Sequence, residues 1–258
     1  MKHLWLILFA LPLFAQDIDW INKTMTVKGS AYGNNMLMAK RGAKTDARRN
    51  MVEAIKEIRI DSKTIVRDLE VEQDLVISES SGFIRRAFFD KNSSQCESEG
   101  DRYICTIVLT MPLVGEYSRF IFPKNETEFS SEKKENNNEG PGAIAKQYSG
   151  LVIDLRGRKI TPSMAPKIVT KYGVILYGMS NTSRKYATKM GVVGYINDTA
   201  NPSSITRVGS NPLIVKAVNI SGDIDFPTDA IVDSQSADAI STLSQNILAQ
   251  CKVAFLID

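Results

Sequence analysis

Histidine is all but missing from this chain of 258 residues, which has a single one at His3. That residue falls in an apolar leader expected to be removed, so the working protein should hold none. Ser-His and Cys-His nucleophilic chemistry and His-ligated metal centres are thereby excluded. Long apolar runs are missing too. Beyond the leader no stretch approaches the roughly 20 apolar residues of a spanning helix, so no membrane span is expected. No G-x-x-x-x-G-K-[ST] loop occurs, and Gly191-Val192-Val193-Gly194 lacks the spacing of a dinucleotide fingerprint. No acidic calcium loop of the D-x-D-x-D-G type is present. Charge of one sign is also lacking, with 32 Lys and Arg against 29 Asp and Glu. Such a balance gives no field to steer nucleic acid, and neither nucleic acid nor a cofactor is expected as a partner.

What the sequence does contain begins with an export signal. Lys2 supplies a positive start, residues 4–14 an apolar core, and Ala15 a small residue for cleavage. Residues 1–15 therefore read as a signal peptide cleaved near Ala15, and the location as periplasmic. No cysteine follows the cut, so no lipid anchor is expected there.

Of the three cysteines, Cys96 and Cys105 flank a short stretch rich in Ser, Glu and Gly, with strand-like sequence on both sides. A disulfide across a hairpin suits an exported protein; free thiols or a metal pair are the alternatives. Cys251 lies in the apolar run 251–257 and reads as a buried core thiol.

The clearest break is the polar stretch 123–147, with Lys133-Lys134-Glu135, Asn136-Asn137-Asn138 and Gly140-Pro141-Gly142, too poor in apolar residues to offset ordering its backbone. The chain is thus divided into an N-terminal module at 16–122, a linker at 123–147 and a C-terminal domain at 148–258. In the module, 24–31 reads as a strand and 36–58 as a helix. Ala39, Ala43, Ala47, Met51, Ile55 and Ile58 recur on one face, and the small alanines allow close approach to a sheet; the same stripe read as an oligomer surface is the alternative. A short strand at 64–67, a helical or strand-like stretch at 70–80, and strands at 83–90 and 103–111 complete it. After the linker, 149–154 and 253–258 are continuous apolar runs of the kind buried in mid-sheet. Further strands are expected at 173–177 and 213–219, and a helix at 234–248 capped by Ser234 or Ser236, with Asp238 in its first turn. The fold class is α+β: two small domains, each a mostly antiparallel or mixed sheet packed by one or two helices.

For chemistry only carboxylates remain: Asp154 and Asp258 at strand ends, and Asp223, Asp225, Asp229 and Asp233 in a cluster. Paired acids could serve glycoside hydrolysis, but turn and strand-end roles explain them more simply. No catalytic residue is assigned and no enzyme is expected. Arg156, Arg158 and Lys159 form one short basic patch, and Arg184 and Lys185 another. Both are candidate contacts for an acidic partner or envelope polymer, although solvated surface is the commoner reason for such patches.

Two sets of strings point to relatives. Val27-Lys28-Gly29-Ser30-Ala31, the helix bearing Ala39, Arg41, Ala43, Asp46, Ala47 and Arg48, Ser81-Gly82-Phe83-Ile84, and the strand from Tyr103 to Leu109 together resemble the small outer-membrane lipoprotein family. That family includes the flagellar basal-disk protein FlgP and the first domain of FlgT. The second half resembles the carboxy-terminal domain that accompanies this module in exported bacterial proteins, through Tyr148-Ser149-Gly150-Leu151-Val152-Ile153-Asp154, Met164-Ala165-Pro166-Lys167-Ile168 and Asn211-Pro212-Leu213-Ile214-Val215. The resemblance implies assembly of flagellar rings or disks rather than catalysis. Without a lipobox cysteine, a non-lipidated companion such as FlgQ, held by an FlgP-like lipoprotein, fits better than a lipid-anchored member. The expected function is a non-catalytic periplasmic structural or assembly protein of an envelope machine, foremost the flagellar motor, with envelope or flagellar proteins as partners in a homo- or hetero-oligomer. The alternative is a peptidoglycan- or glycan-binding module that uses Tyr172, Tyr177, Tyr186 and Tyr195 as stacking platforms.

Overall fold

In the computed structural model, residues 17–68, 87–115, 117–122, 148–197 and 206–258 are described. The expected signal at 1–15, the stretch at 70–80, the string Ser81-Gly82-Phe83-Ile84 and the linker at 123–147 lie outside the described residues. The chain is α+β. It forms two compact units interleaved in sequence. The first takes Met25–Ala54 and the described parts of Met1–Ile18 and Ile84–Met111; the second takes Asp19–Thr24 and the described parts of Ile55–Phe83 and Pro112–Asp258. The segments Asp19–Thr24, 55–68 and 112–122, expected in the N-terminal module, thus group with the second unit. Specific bonds explain this: Lys23 Nζ donates to Met190 O, Met164 N to Arg59 O, Ala165 N to Ile60 O, and Ser118 Oγ to Thr188 O.

The first unit is a four-stranded sheet in the order β1-β2-β4-β3 beneath one long helix, with β1 at Asp17–Asp19, β2 at Thr24–Gly33, α1 at Met36–Lys56, β3 at Phe88–Glu99 and β4 at Arg102–Pro112. Asn35 starts the helix by accepting the Met38 N–H at 2.9 Å, satisfying one of its orphan donors. The alanine stripe is core: Ala39, Ala43, Ala47, Met51 and Ile58 are fully buried and Ile55 nearly so. Ala39 and Ala43 pack on Cys105 and Ile107 of β4. Across the sheet, Thr26 meets Thr110 and Ser30 meets Thr106 through hydroxyl hydrogen bonds, a reversed pairing that makes β2 and β4 antiparallel.

The expected bridge across the hairpin is present. Cys96 stands opposite Cys105 with Cα atoms 4.1 Å apart, the spacing of a non-hydrogen-bonded pair. The strands extend further than the sequence suggested, because β3 continues past Cys96 to Glu99. Only Gly100 and Asp101 remain as the turn, and Gly100 adopts φ 61°, which a glycine-first two-residue hairpin turn requires. The expected strand at 64–67 is instead a single bridge, Arg59 to Ile65, followed by a 3₁₀ turn at Val66–Asp68. Here Asp61 accepts the Lys63 and Thr64 N–H groups and Asp68 the Ile65 N–H, so local side chains take donors a ladder would need.

The second unit carries two further four-stranded sheets. One is parallel throughout, in the order β8-β12-β5-β9, formed by β5 (Gly150–Asp154), β8 (Gly194–Ile196), β9 (Pro212–Lys216) and β12 (Val253–Leu256). Its inner strands β5 and β12 are the two continuous apolar runs, and they are buried almost completely. The other is mixed, in the order β10-β11-β6-β7, formed by β6 (Ile168–Thr170), β7 (Ile175–Tyr177), β10 (Asn219–Gly222) and β11 (Pro227–Val232). The strand expected at 213–219 divides between the sheets. Ala217 N bonds Asp154 O and Val218 N bonds Ile231 O, so the chain changes sheets between adjacent residues.

Helices α2 (Ser118–Ile121) and α3 (Arg184–Met190) are short, and the helix expected at 234–248 is two, α4 (Ser234–Ser241) and α5 (Gln245–Ala249). Ser241 Oγ and Thr242 Oγ1 bond back to carbonyls of Ala237 and Ala239, and Ser244 then caps a new start. The cap of α4 is Asp233, which accepts the Ser236 N–H at 2.8 Å, rather than either serine.

The closeness of α1 to its sheet gives a sharp test. A Cβ on Gly29 would lie 2.0 Å from the backbone nitrogen of Ala47. Gly29→Ala should therefore destabilise the first unit by more than about 2 kcal/mol, read from the urea unfolding midpoint, since neither backbone can yield cheaply.

Candidate functional site

The C-terminal ends of β5, β12 and β9 bring Asp154, Asp258 and Lys216 to one rim, where open parallel sheets commonly bind ligands. Both acids are committed to structure. Asp154 accepts Nε and Nη2 of Arg156 at 2.9 and 2.7 Å as well as the Arg156 backbone N–H. The guanidinium holds its carboxyl below the usual range, opposite to what a general acid or a base poised near neutrality needs. Asp258 receives the Gly157 N–H on both oxygens, at 3.1 and 3.0 Å. Together the two acids lock the turn after β5.

Among the four clustered acids, Asp233 caps α4 and Asp223 accepts the Asp225 N–H in the turn after β10. Asp229 alone is buried. Burial raises its pKa, while the Lys167 N–H and the Thr228 hydroxyl hold its Oδ1 at 3.0 and 2.9 Å. Asp223, Asp229 and Asp233 thus each have a separate local task.

The basic candidates are partly committed as well. Arg156 is engaged by Asp154, and Arg184 Nη2 donates to Arg119 O at 2.9 Å. Lys159 and Lys185 are exposed and Arg158 is half-buried; the Lys185 ammonium lies 5.9 Å from the centre of the Tyr186 ring. Among the tyrosines, Tyr177 and Tyr195 are buried. Tyr177 donates to Val192 O at 2.6 Å, and Tyr195 bridges the backbone of Ser163. Neither ring face is open to a sugar.

Sequence reasoning missed a buried cationic cluster in the second unit. The last carbonyls of helix α3 have no intrahelical partner. Arg207 fills them, donating to Met190 O, Gly191 O and Val192 O at 2.5–3.2 Å and to Cys251 O at 2.8 Å. Lys23 adds its ammonium to Met190 O at 2.6 Å. Two cations at a helix C-terminus suit its dipole, and among the described residues the bonds they make are all to backbone carbonyls. Burial first, then the charge of Arg207, pushes Lys23 down to about 7. Burial pushes the Cys251 thiol up to about 11. Nothing local in Lys23 or Arg207 signals this, because each acts on a helix end distant in sequence.

The most open feature is apolar. Tyr172, Val174 and Ile175, on the β6-β7 hairpin at one edge of the mixed sheet, are 79%, 59% and 49% exposed. At the opposite edge the turn between β10 and β11 exposes Ile224 and Phe226, with the Arg59 guanidinium stacked 3.9 Å from the Phe226 ring centre. Such groups serve contact with another surface better than they serve chemistry.

The Lys23 site fixes a pH dependence. Between about pH 7 and 10.5 the unfolded chain holds a proton on Lys23 that the folded chain has released, so stability rises with pH across that window. From pH 9 to 11 the Cys251 thiol acts oppositely, since the folded state keeps a proton that the unfolded state loses. Unfolding free energy should climb by about 2 kcal/mol from pH 7 to 9 in the natural chain. That rise should vanish in Lys23→Met, as measured by urea titration at each pH.

With this geometry in view, residues 150–258, which include both sheets of the second unit, match the family model described as Treponema pallidum Tp0624, second domain. No curated protein matches the chain.

Proposed function

We propose that this protein is a non-catalytic periplasmic structural or assembly component of an envelope machine, with the flagellar basal disk or ring as the first machine to test. The observation that carries the reading is the exposed apolar surface at both edges of the mixed sheet, where Tyr172, Val174, Ile175 and Ile224 face outward. Edge strands present unpaired backbone groups beside these side chains, so a partner can add both ladder bonds and apolar burial. The carboxylates that would serve a hydrolase are engaged in a turn and a cap. The Cys96–Cys105 bridge suits an oxidising compartment. The resemblance of the first half to FlgP-like modules points to flagellar structures, and an FlgP-like lipoprotein is the partner proposed to hold this chain at the envelope. Burial of Tyr177 and Tyr195 leaves the glycan-binding alternative without half of its platform.

A clean deletion in the source bacterium should abolish swimming and remove a disk-like density from the motor while growth rate stays unchanged. Normal swimming with an intact motor would rule the flagellar assignment out. Co-purification from envelope membranes should return a flagellar or outer-membrane partner, and Tyr172→Asp with Ile175→Asp should weaken its capture roughly tenfold or more.

A further inference from the structure

A bulge breaks the outer strand of the first unit. β3 pairs with β4 from Phe88 to Asp90 and again from Gln95 to Glu99, with a register shift between the two runs. Lys91, Asn92 and Ser93 are exposed there. Asp90 accepts the Ser93 hydroxyl and, at 2.9 Å, the Asn92 N–H, and these bonds hold its carboxyl below the usual range. The Ser94 hydroxyl donates to Asp90 O and receives the Val108 N–H at 3.3 Å, standing in for a ladder carbonyl. The side-chain amide of Asn92, by contrast, hydrogen-bonds none of the described residues.

The bulge carries the string Asp90-Lys91-Asn92-Ser93-Ser94. Its core, N-x-[ST] with x other than proline, is the acceptor pattern for attachment of a glycan to asparagine, and it occurs at Asn22, Asn92, Asn125, Asn181, Asn197 and Asn219. Bacterial transferases of this chemistry require in addition an acid two residues before the asparagine. Asn92 alone has one, for Trp20, Pro123, Met179, Tyr195 and Ala217 precede the others. Surface and sequence therefore agree at this position. The bonds that occupy Asp90 and Ser94 close within the bulge itself, apart from the one to Val108. A transferase frees both groups by opening five residues, while the Cys96–Cys105 bridge keeps the hairpin in register beyond them.

We infer that Asn92 is an N-glycosylation site, modified by a transferase whose donor is an oligosaccharide linked to a lipid diphosphate. The Nδ2 of Asn92 attacks the anomeric carbon of the first sugar and forms the new bond to it. The bond from that carbon to the diphosphate oxygen breaks, and the lipid diphosphate leaves with the electron pair. Nδ2 gives up one proton to a carboxylate of the transferase, and nothing is oxidised or reduced. In the order β1-β2-β4-β3 the glycan stands on the free edge of the sheet. There a bulky, hydrated group bars another strand from adding to β3, which leaves docking to the edges of the mixed sheet. The inference rests on the export proposed above, because this transfer takes place on the outer side of the membrane.

Intact mass spectrometry on the full chain purified from the envelope of its source bacterium should show the leader removed and the mass of one oligosaccharide added. The proteolytic peptide containing Asn92 should carry that mass. Asn92→Gln and Asp90→Asn, each expressed in place of the natural chain, should lose it completely, while Asp90→Glu and Ser94→Thr retain it. Circular dichroism of Asn92→Gln should match the natural chain, since the exposed amide supports nothing. A leader-cleaved chain with a bare Asn92 would overturn the inference and leave the export reading standing. A chain that keeps its leader and lacks the glycan would overturn both. A glycan that persists in Asn92→Gln or in Asp90→Asn would overturn the assignment to this string.

Discussion

The parallel ladder between Gly150–Asp154 and Val253–Leu256 is the interaction on which the second unit depends, because each strand buries both faces and must therefore be covered on both. Leu151, Val152, Ile153, Val253, Ala254 and Phe255 are all fully buried, so neither strand has a solvent side to fall back on. The edges β8 and β9 extend the ladder, and the mixed sheet begins where Ala217 and Val218 pass from Asp154 to Ile231. The lock between Asp154, Arg156, Gly157 and Asp258 fastens the ends of the same two strands. What looks like a pair of candidate catalytic acids in the sequence is the hem of this ladder.

The first unit rests on a different principle, closeness rather than double burial. Alanine at 39, 43 and 47 and glycine at 29 remove side-chain bulk where helix meets strand, so that backbone nearly touches backbone. The disulfide then fixes the outer strand β3 to β4, whose Cys105 and Ile107 pack under Ala39 and Ala43.

Both devices were legible in the sequence, for a physical reason: a run of apolar residues and a four-residue repeat of alanines are local patterns. The hairpin bridge was legible because two cysteines in strand-like surroundings flank a short stretch rich in Ser, Glu and Gly that suits a turn. The rest depended on distant partners. Ile168–Thr170 and Gly194–Ile196 are only three residues long, too short to show a period. The runs at 213–219 and 234–248 read as single elements, since nothing in their composition marks where one sheet hands over to another or where hydroxyls bend a helix. Lys23 and Arg207 gave no signal because the carbonyls they satisfy belong to Met190, Gly191 and Val192, and only the folded chain brings these together. Asp229 read as one of a cluster of acids, although it lies within β11 and is buried.

The interleaving of the two units bears on how the chain comes to be folded at all. Lys23 docks on the end of a helix that finishes at Met190, 167 residues later. The start of the chain therefore cannot complete its contacts until most of the remainder has been delivered. Closing loops of that length before any contact rewards them makes for slow folding, with apolar strands uncovered in the interval. A chain made from its start holds Lys23 ready long before Met190, Arg207 and Cys251 arrive to complete the cluster. Truncations that look harmless on a linear map, just ahead of the second apolar run or just after the first strand, would strand one half of this late closure.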